Sequence, residues 1–156
     1  VWTLVDIGEQ YKVGLPFADG SGSDVELKLS QNDGEWGIAE HYGVCHAYLY
    51  HNCRCVDLSV TLNYLPRGTY DVYVYAHGDA PHQNAAIEIV SGDKVFAGKS
   101  TLNDGSWAFR NPNLTEGNQY VKDTIEVGAE SPVVITSKRD GSNLSMLNAI
   151  QLKRRK

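Results

Sequence analysis

Leu65-Pro-Arg-Gly-Thr-Tyr-Asp-Val-Tyr-Val-Tyr-Ala-His-Gly-Asp79 is the stretch that decides the fold. A Pro/Gly turn opens it, and strict alternation follows. Tyr70, Val72, Val74 and Ala76 point one way, and Asp71, Tyr73, Tyr75 and His77 point the other. A repeat of two is the side-chain period of a β-strand. The first face is aliphatic apart from Tyr70 and suits the inside of a sandwich. The second carries two tyrosines and a histidine and runs into the polar loop Gly78-Asp-Ala-Pro-His82. A strand of this kind presents a recognition surface and lacks the look of a catalytic apparatus.

The same reading extends outward along the chain. Residues 2–7, 25–29, 47–50, 56–62, 85–90, 94–96, 119–127, 133–137 and 147–152 read as short strands bounded by Gly, Pro, Asn or Asp. Residues 35–52 are the least regular part. Helical patterning is almost absent, so the expected fold is all-β, a single antiparallel β-sandwich or barrel. At 156 residues, with no internal repeat and no linker, the chain reads as one module over 1–152. The basic end Lys153-Arg-Arg-Lys156 reads as a solvated tail, with Lys153 able to close the last strand. A net charge of −5 argues against nucleic acid as the main partner, which would need a basic stripe. No run approaches the ~20 apolar residues of a membrane span. The sequence begins at Val1 with no signal peptide and reads as a piece excised from a longer chain.

The order of these pieces resembles the secreted bacterial β-sandwich modules of galactose-binding-like, jelly-roll type. The residues that carry the likeness are Leu4-Val-Asp-Ile-Gly8, Tyr48-Leu-Tyr50, the 65–78 stretch, Glu116-Gly-Asn-Gln-Tyr-Val121 and Leu147-Asn-Ala-Ile-Gln-Leu152. The resemblance implies a non-catalytic carbohydrate-binding module, secreted or at a cell surface. It would be appended to the catalytic or adhesive domains of a parent chain. Modules of this type often carry a structural calcium. The loop Asp19-Gly-Ser-Gly-Ser-Asp24 offers Asp19 and Asp24 as oxygen ligands, although the same composition makes an ordinary turn.

Sugars pack their C–H faces on aromatic rings and need directional partners for their hydroxyls, so a glycan site wants exposed Trp or Tyr beside polar side chains. Two loops have that mixture. The first supplies Trp36, His41 and Tyr42. The second supplies Trp107, Arg110 and Asn111, where the Arg110 fork suits an anionic polysaccharide. Each Trp has a competing reading as a cap on the end of the sandwich, which is the favoured one for Trp2. His77 joins the ligand set as a hydrogen-bonding residue. Asp79, His82, Gln83 and Asn84 share its polar loop, which ordinary turn chemistry explains unless the loop converges with the first two.

Cys45, His46, His51, Cys53 and Cys55 form no familiar zinc spacing. One disulfide, from Cys45 to Cys53 or Cys55, is the simpler reading, against free thiols or a metal. The chain lacks G-x-S-x-G, H-E-x-x-H and a P-loop, and Glu35 with Glu40 makes a weak glycosidase pair. The expected function is therefore binding of a polysaccharide without catalysis. The alternative is a structural or adhesive sandwich domain with no sugar ligand.

Overall fold

The computed structural model describes residues 2–38, 43–106, 110–129 and 131–156. Strands β1 (Tyr11–Lys12), β2 (Glu26–Leu29), β5 (Leu58–Asn63), β7 (Ala85–Ser91), β8 (Lys94–Ser100) and β10 (Val133–Arg139) form a six-stranded sheet in the order β1-β2-β5-β10-β7-β8. Strands β6 (Gly68–Tyr75), β9 (Tyr120–Val127) and β12 (Ala149–Arg154) form a second sheet in the order β12-β6-β9. A third, small sheet, β11-β4-β3, comprises β3 (Gly34–Gly37), β4 (Ala47–His51) and β11 (Ser145–Leu147). All the strand pairs are antiparallel. The all-β sandwich expected from the sequence is the observed architecture.

The alternation that defined the strands also fills the core. Leu58, Val60 and Leu62 of β5, Ile87 and Ile89 of β7, and Val133 and Ile135 of β10 face Tyr70, Val72, Val74, Val121 and Ile125 of the opposing sheet. Burying each such aliphatic side chain is worth about 1.5–3 kcal/mol. A second, smaller core holds Ile38, Cys45, Tyr48 and Met146, with Leu114 and Leu144 packed against it. Strand β8 outruns its expected end at Phe96. The pairing with β7 shifts register between Ile87 and Ile89, and Gly98, at φ 90°, takes the left-handed conformation there.

Five expectations are corrected. Residues 2–7 form no strand, and Trp2 is 53% exposed and not a buried cap. The segment is held by side chains: Lys12 Nζ donates to Leu4 O and Asn32 Nδ2 to Ile7 O. It crosses a cavity of about 510 Å³ lined by Leu27, Leu29, Leu49, Leu147 and Ile150.

The disulfide joins Cys53 to Cys55, and Cys45 is a free, fully buried thiol. The extended strand β4 lies between Cys45 and Cys53 and keeps them roughly 16 Å apart, beyond the reach of a disulfide. Arg139 clamps the Cys53–Cys55 loop. Its Nη1 donates to Val56 O at 2.8 Å and Asp57 Oδ1 at 2.6 Å, and its Nη2 donates to His51 O at 2.7 Å and to Cys53 O.

The irregular region 35–52 contains a true hairpin. Glu35-Trp36 is too short, between two glycines, to display a period, yet Trp36 sits directly opposite Tyr48. The basic end is only partly a tail. Strand β12 runs through Arg154, and Arg155 Nε donates to Asp71 Oδ1 at 2.9 Å.

Candidate functional site

Beyond β6 the chain bends into a closed loop, with His77 bridged to Asn84. Within it, Gly78 N donates to Gln83 O at 2.9 Å and Gln83 N to Ala80 O at 3.2 Å. The loop is braced from outside by Asn103, at the start of the 101–119 connection. Asn103 Nδ2 donates to Gly78 O at 2.9 Å and Ala80 O at 2.8 Å and lies 3.3 Å from Gln83 O, while Asn103 O accepts His82 N–H at 3.0 Å. Asn103 is buried, so these bonds replace water that the loop carbonyls would otherwise need. Thr101 anchors the same connection, donating from Oγ1 to Ala76 O at 2.6 Å and accepting Ala85 N–H at 3.0 Å.

The braced loop meets the β3–β4 hairpin. Trp36 Nε1 donates to Asp79 Oδ2 at 3.2 Å, and Tyr48 Oη donates toward Asp79 Oδ1 at 3.4 Å and Gln83 Oε1 at 3.3 Å. Gln83 Oε1 also accepts Ala80 N–H at 3.1 Å. Burial, with the Asp79 carboxylate beside it, pushes the Tyr48 phenol up, so it remains a hydrogen-bond donor at any physiological pH. The Trp36 ring is 54% exposed although its edge is tethered. This is an oriented indole face beside a carboxylate that, among the described residues, accepts from Trp36 and Tyr48 and can accept more, with the exposed His82 in the same loop. His82 holds φ at 64°, an uncommon conformation for a residue with a Cβ and one that recurs at sites of function.

The sequence-derived residues divide accordingly. Trp36 stands half exposed in the group with Asp79, Tyr48 and Gln83 and is not a buried cap. His41, Tyr42 and Trp107 lie outside the described residues. Arg110 and Asn111 are exposed on the connection that Asn103 anchors, and Asn111 Oδ1 accepts Asn113 N–H at 2.9 Å.

His77 is corrected. It is completely buried and cannot meet a surface ligand, because the loop folds back over it. Its Nδ1 donates to Gly78 O at 3.0 Å, and its backbone N–H and C=O bond Asn148 Oδ1 and Nδ2 at 2.7 and 3.1 Å. It positions the loop. Asp79, Gln83 and Asn103, which the structure groups with Trp36 and Tyr48, were not in the expected ligand set. The signal was the polar loop after β6, whose weight depended on a convergence that the structure now provides.

Asp19 Oδ1 accepts both Ser21 N–H at 2.9 Å and Ser21 Oγ–H at 2.6 Å, so a calcium ion there would compete with two bonds already made. Among the described residues no group of three or more His, Cys, Asp or Glu is arranged to hold a metal ion, and no helix is long and apolar enough to cross a membrane.

No protein-family model and no curated protein matches the sequence. Among solved structures, the fold is similar to a CBM35 from Paenibacillus barcinonensis, at 13% identity and TM-score 0.47, over 83% of this chain and 93% of that one. It is also similar to the family 32 CBM from C. perfringens NanJ in complex with galactose, at 9% identity and TM-score 0.42, over 82% and 92%. A beta-glucuronidase of Bacteroides uniformis matches at 14% identity and TM-score 0.49, over 92% of this chain but 15% of the enzyme. The likeness is one of fold.

Proposed function

We propose that this chain is a non-catalytic carbohydrate-binding module that takes a polysaccharide at the loop end of the sandwich. The observation that carries this reading is the Trp36–Asp79–Tyr48–Gln83 group: a half-exposed indole, fixed edge-on by a carboxylate, on loops braced by Asn103. A sugar ring stacks on Trp36 and donates hydroxyls to Asp79, with His82 at the rim. His41, Tyr42 and Trp107 are proposed as further contacts from the adjoining loops. Arg110 and Asn111 are proposed to favour anionic chains. A shallow site of this kind binds weakly, because little area is buried and well-held water must leave.

Affinity electrophoresis and calorimetry against neutral and acidic polysaccharides test the reading. Wild type should be retarded in at least one gel, and Trp36→Ala should lose about tenfold or more in affinity there with its melting temperature unchanged. Arg110→Ala should weaken binding to polygalacturonate more than to galactomannan. Absence of retardation in every gel would favour the structural or adhesive alternative. Accumulation of reducing ends or unsaturated products from a bound glycan would make the chain an enzyme instead. The calcium reading of Asp19 and Asp24 is likewise a proposal, supported only if millimolar Ca²⁺ raises the melting temperature of wild type and not of Asp19→Asn. Attachment to a secreted parent chain is proposed with it.

A further inference from the structure

Two bulky aromatics stand exposed on the outer face of the six-stranded sheet, far from Trp36. Tyr11 is 54% exposed and Tyr64 60% exposed. The register gathers Tyr11, Glu26, Lys28 and Asn63 on one face, and Tyr64 follows Asn63 where its left-handed backbone breaks the alternation of β5. Tyr11 lies opposite Lys28, and Glu26 lies opposite Asn63, the residue before Tyr64. Core residues Leu29, Val60 and Leu62 occupy the alternate positions, so Tyr11, Glu26, Lys28 and Asn63 share the solvent face. Glu26 sits diagonally across the β1–β2 pair from Tyr11 on the same face, and hydrogen bonding to its carboxylate, with Tyr64 nearby, pushes the Tyr11 phenol up.

Tyr64 holds φ at 58°. A bulky side chain in the left-handed region costs of order 1–3 kcal/mol, and such strain clusters where a side chain must be aimed. Among the described residues the only other non-glycine in this state is His82, at the loop site. The two positions lie at opposite ends of the sandwich. The eight residues of β6 run between them, roughly 25 Å of extended chain.

We propose that Tyr11 and Tyr64, with Glu26 and Asn63 as hydroxyl partners, form a second carbohydrate-contact platform. It takes neutral sugar rings, since Glu26 repels anionic ones. The proposal rests on the carbohydrate reading of the chain. A glycan fits this patch better than a protein does, because protein interfaces shed charged residues from their centres and these rings stand among Glu26 and Lys28. A chain with contact sites at both ends bridges two polysaccharide strands.

The test is affinity electrophoresis of four proteins in gels of galactomannan, xyloglucan, arabinogalactan and mixed-linkage β-glucan. The proteins are wild type, W36A, Y11T/Y64N and the triple variant, each checked by circular dichroism and melting temperature. Asparagine tolerates the left-handed backbone at position 64, so the fold is preserved. In a gel that retards wild type, W36A and Y11T/Y64N should each keep partial retardation, with about a tenfold lower association constant, and the triple variant should migrate freely. Y11T/Y64N matching wild type in every gel would overturn this proposal and leave the loop site standing. Unchanged retardation with altered sedimentation of Y11T/Y64N would mark the patch as a protein interface and equally overturn it. Free migration of wild type in all four gels would overturn the platform, while retardation in polygalacturonate would still uphold the loop site.

Discussion

Gly78 is where the loop site can be broken with one methyl group. A Cβ built there would stand 2.1 Å from Gln83 Oε1, 2.7 Å from Gln83 Cβ and 2.9 Å from Gln83 Cδ. The amide end of Gln83 can swing away, but its Cβ cannot move without its backbone, which is bonded to Gly78, Ala80 and Asn103. Gly78→Ala therefore expels the Gln83 side chain and loses its bonds with Tyr48 and the Ala80 amide. At about 1 kcal/mol for each bond and about 1–2 kcal/mol for overpacking, the total is about 3–4 kcal/mol. In a domain of this size that lowers the melting temperature by roughly 10 °C. Gly37→Ala is the control, since a Cβ there meets nothing within 4 Å. Differential scanning calorimetry gives the stability, and affinity electrophoresis in the best-retarding gel gives the binding. Both should fall for Gly78→Ala and neither for Gly37→Ala. A melting temperature within about 1 °C of wild type would refute the steric argument. Lost stability with full glycan binding would refute the claim that this loop holds the site.

Burial pushes the Cys45 thiol up to about 11, so iodoacetamide at pH 8 should leave the native protein unmodified and label one cysteine in guanidinium; rapid alkylation of the native chain would contradict the fold around β4. Hydrogen bonds from Arg155 and Thr124 hold the Asp71 carboxyl at about 2, below its unfolded range, so its stabilising effect is complete above about pH 4 and disappears as pH falls toward 2. Asp71→Asn should therefore melt below wild type at pH 7, with the gap closing across that window; a gap that persists at pH 2 would assign the effect to packing. Arg139→Lys should cost about 2 kcal/mol by urea denaturation, because an ammonium cannot fork to Val56, Asp57, His51 and Cys53 at once; an unchanged midpoint would show that the clamp is idle.

Strands β5, β6, β7 and β10 were legible because each carries its own period of two against a buried partner, and the same parity put Tyr70, Val72 and Val74 inside. What local pattern could not supply was contact between distant segments. The parity of His77 was right and its exposure wrong, since only the return of the chain at Asn84 covers it. Trp36 was recognised from composition, but its partner Asp79 lies 43 residues away and could not be paired with it by spacing. The cysteine pairing failed for a related reason: the sequence does not reveal that a strand separates Cys45 from Cys53. Residues 2–7 alternate as a strand does, yet a strand needs an edge to join, and here side chains of Lys12 and Asn32 take its carbonyls.

The Asn103 brace has a consequence for time as well as for shape. A loop whose carbonyls are already satisfied by a buried amide has little left to order when a ligand arrives. Encounter then proceeds near the ordinary orientational limit of about 10⁵–10⁷ M⁻¹s⁻¹, and differences among glycans fall on dissociation. Weak affinity combined with fast encounter means brief residence. On the proposed reading, a module of this kind lets go and rebinds along a fibre many times a second, staying on the surface without being fixed to one place.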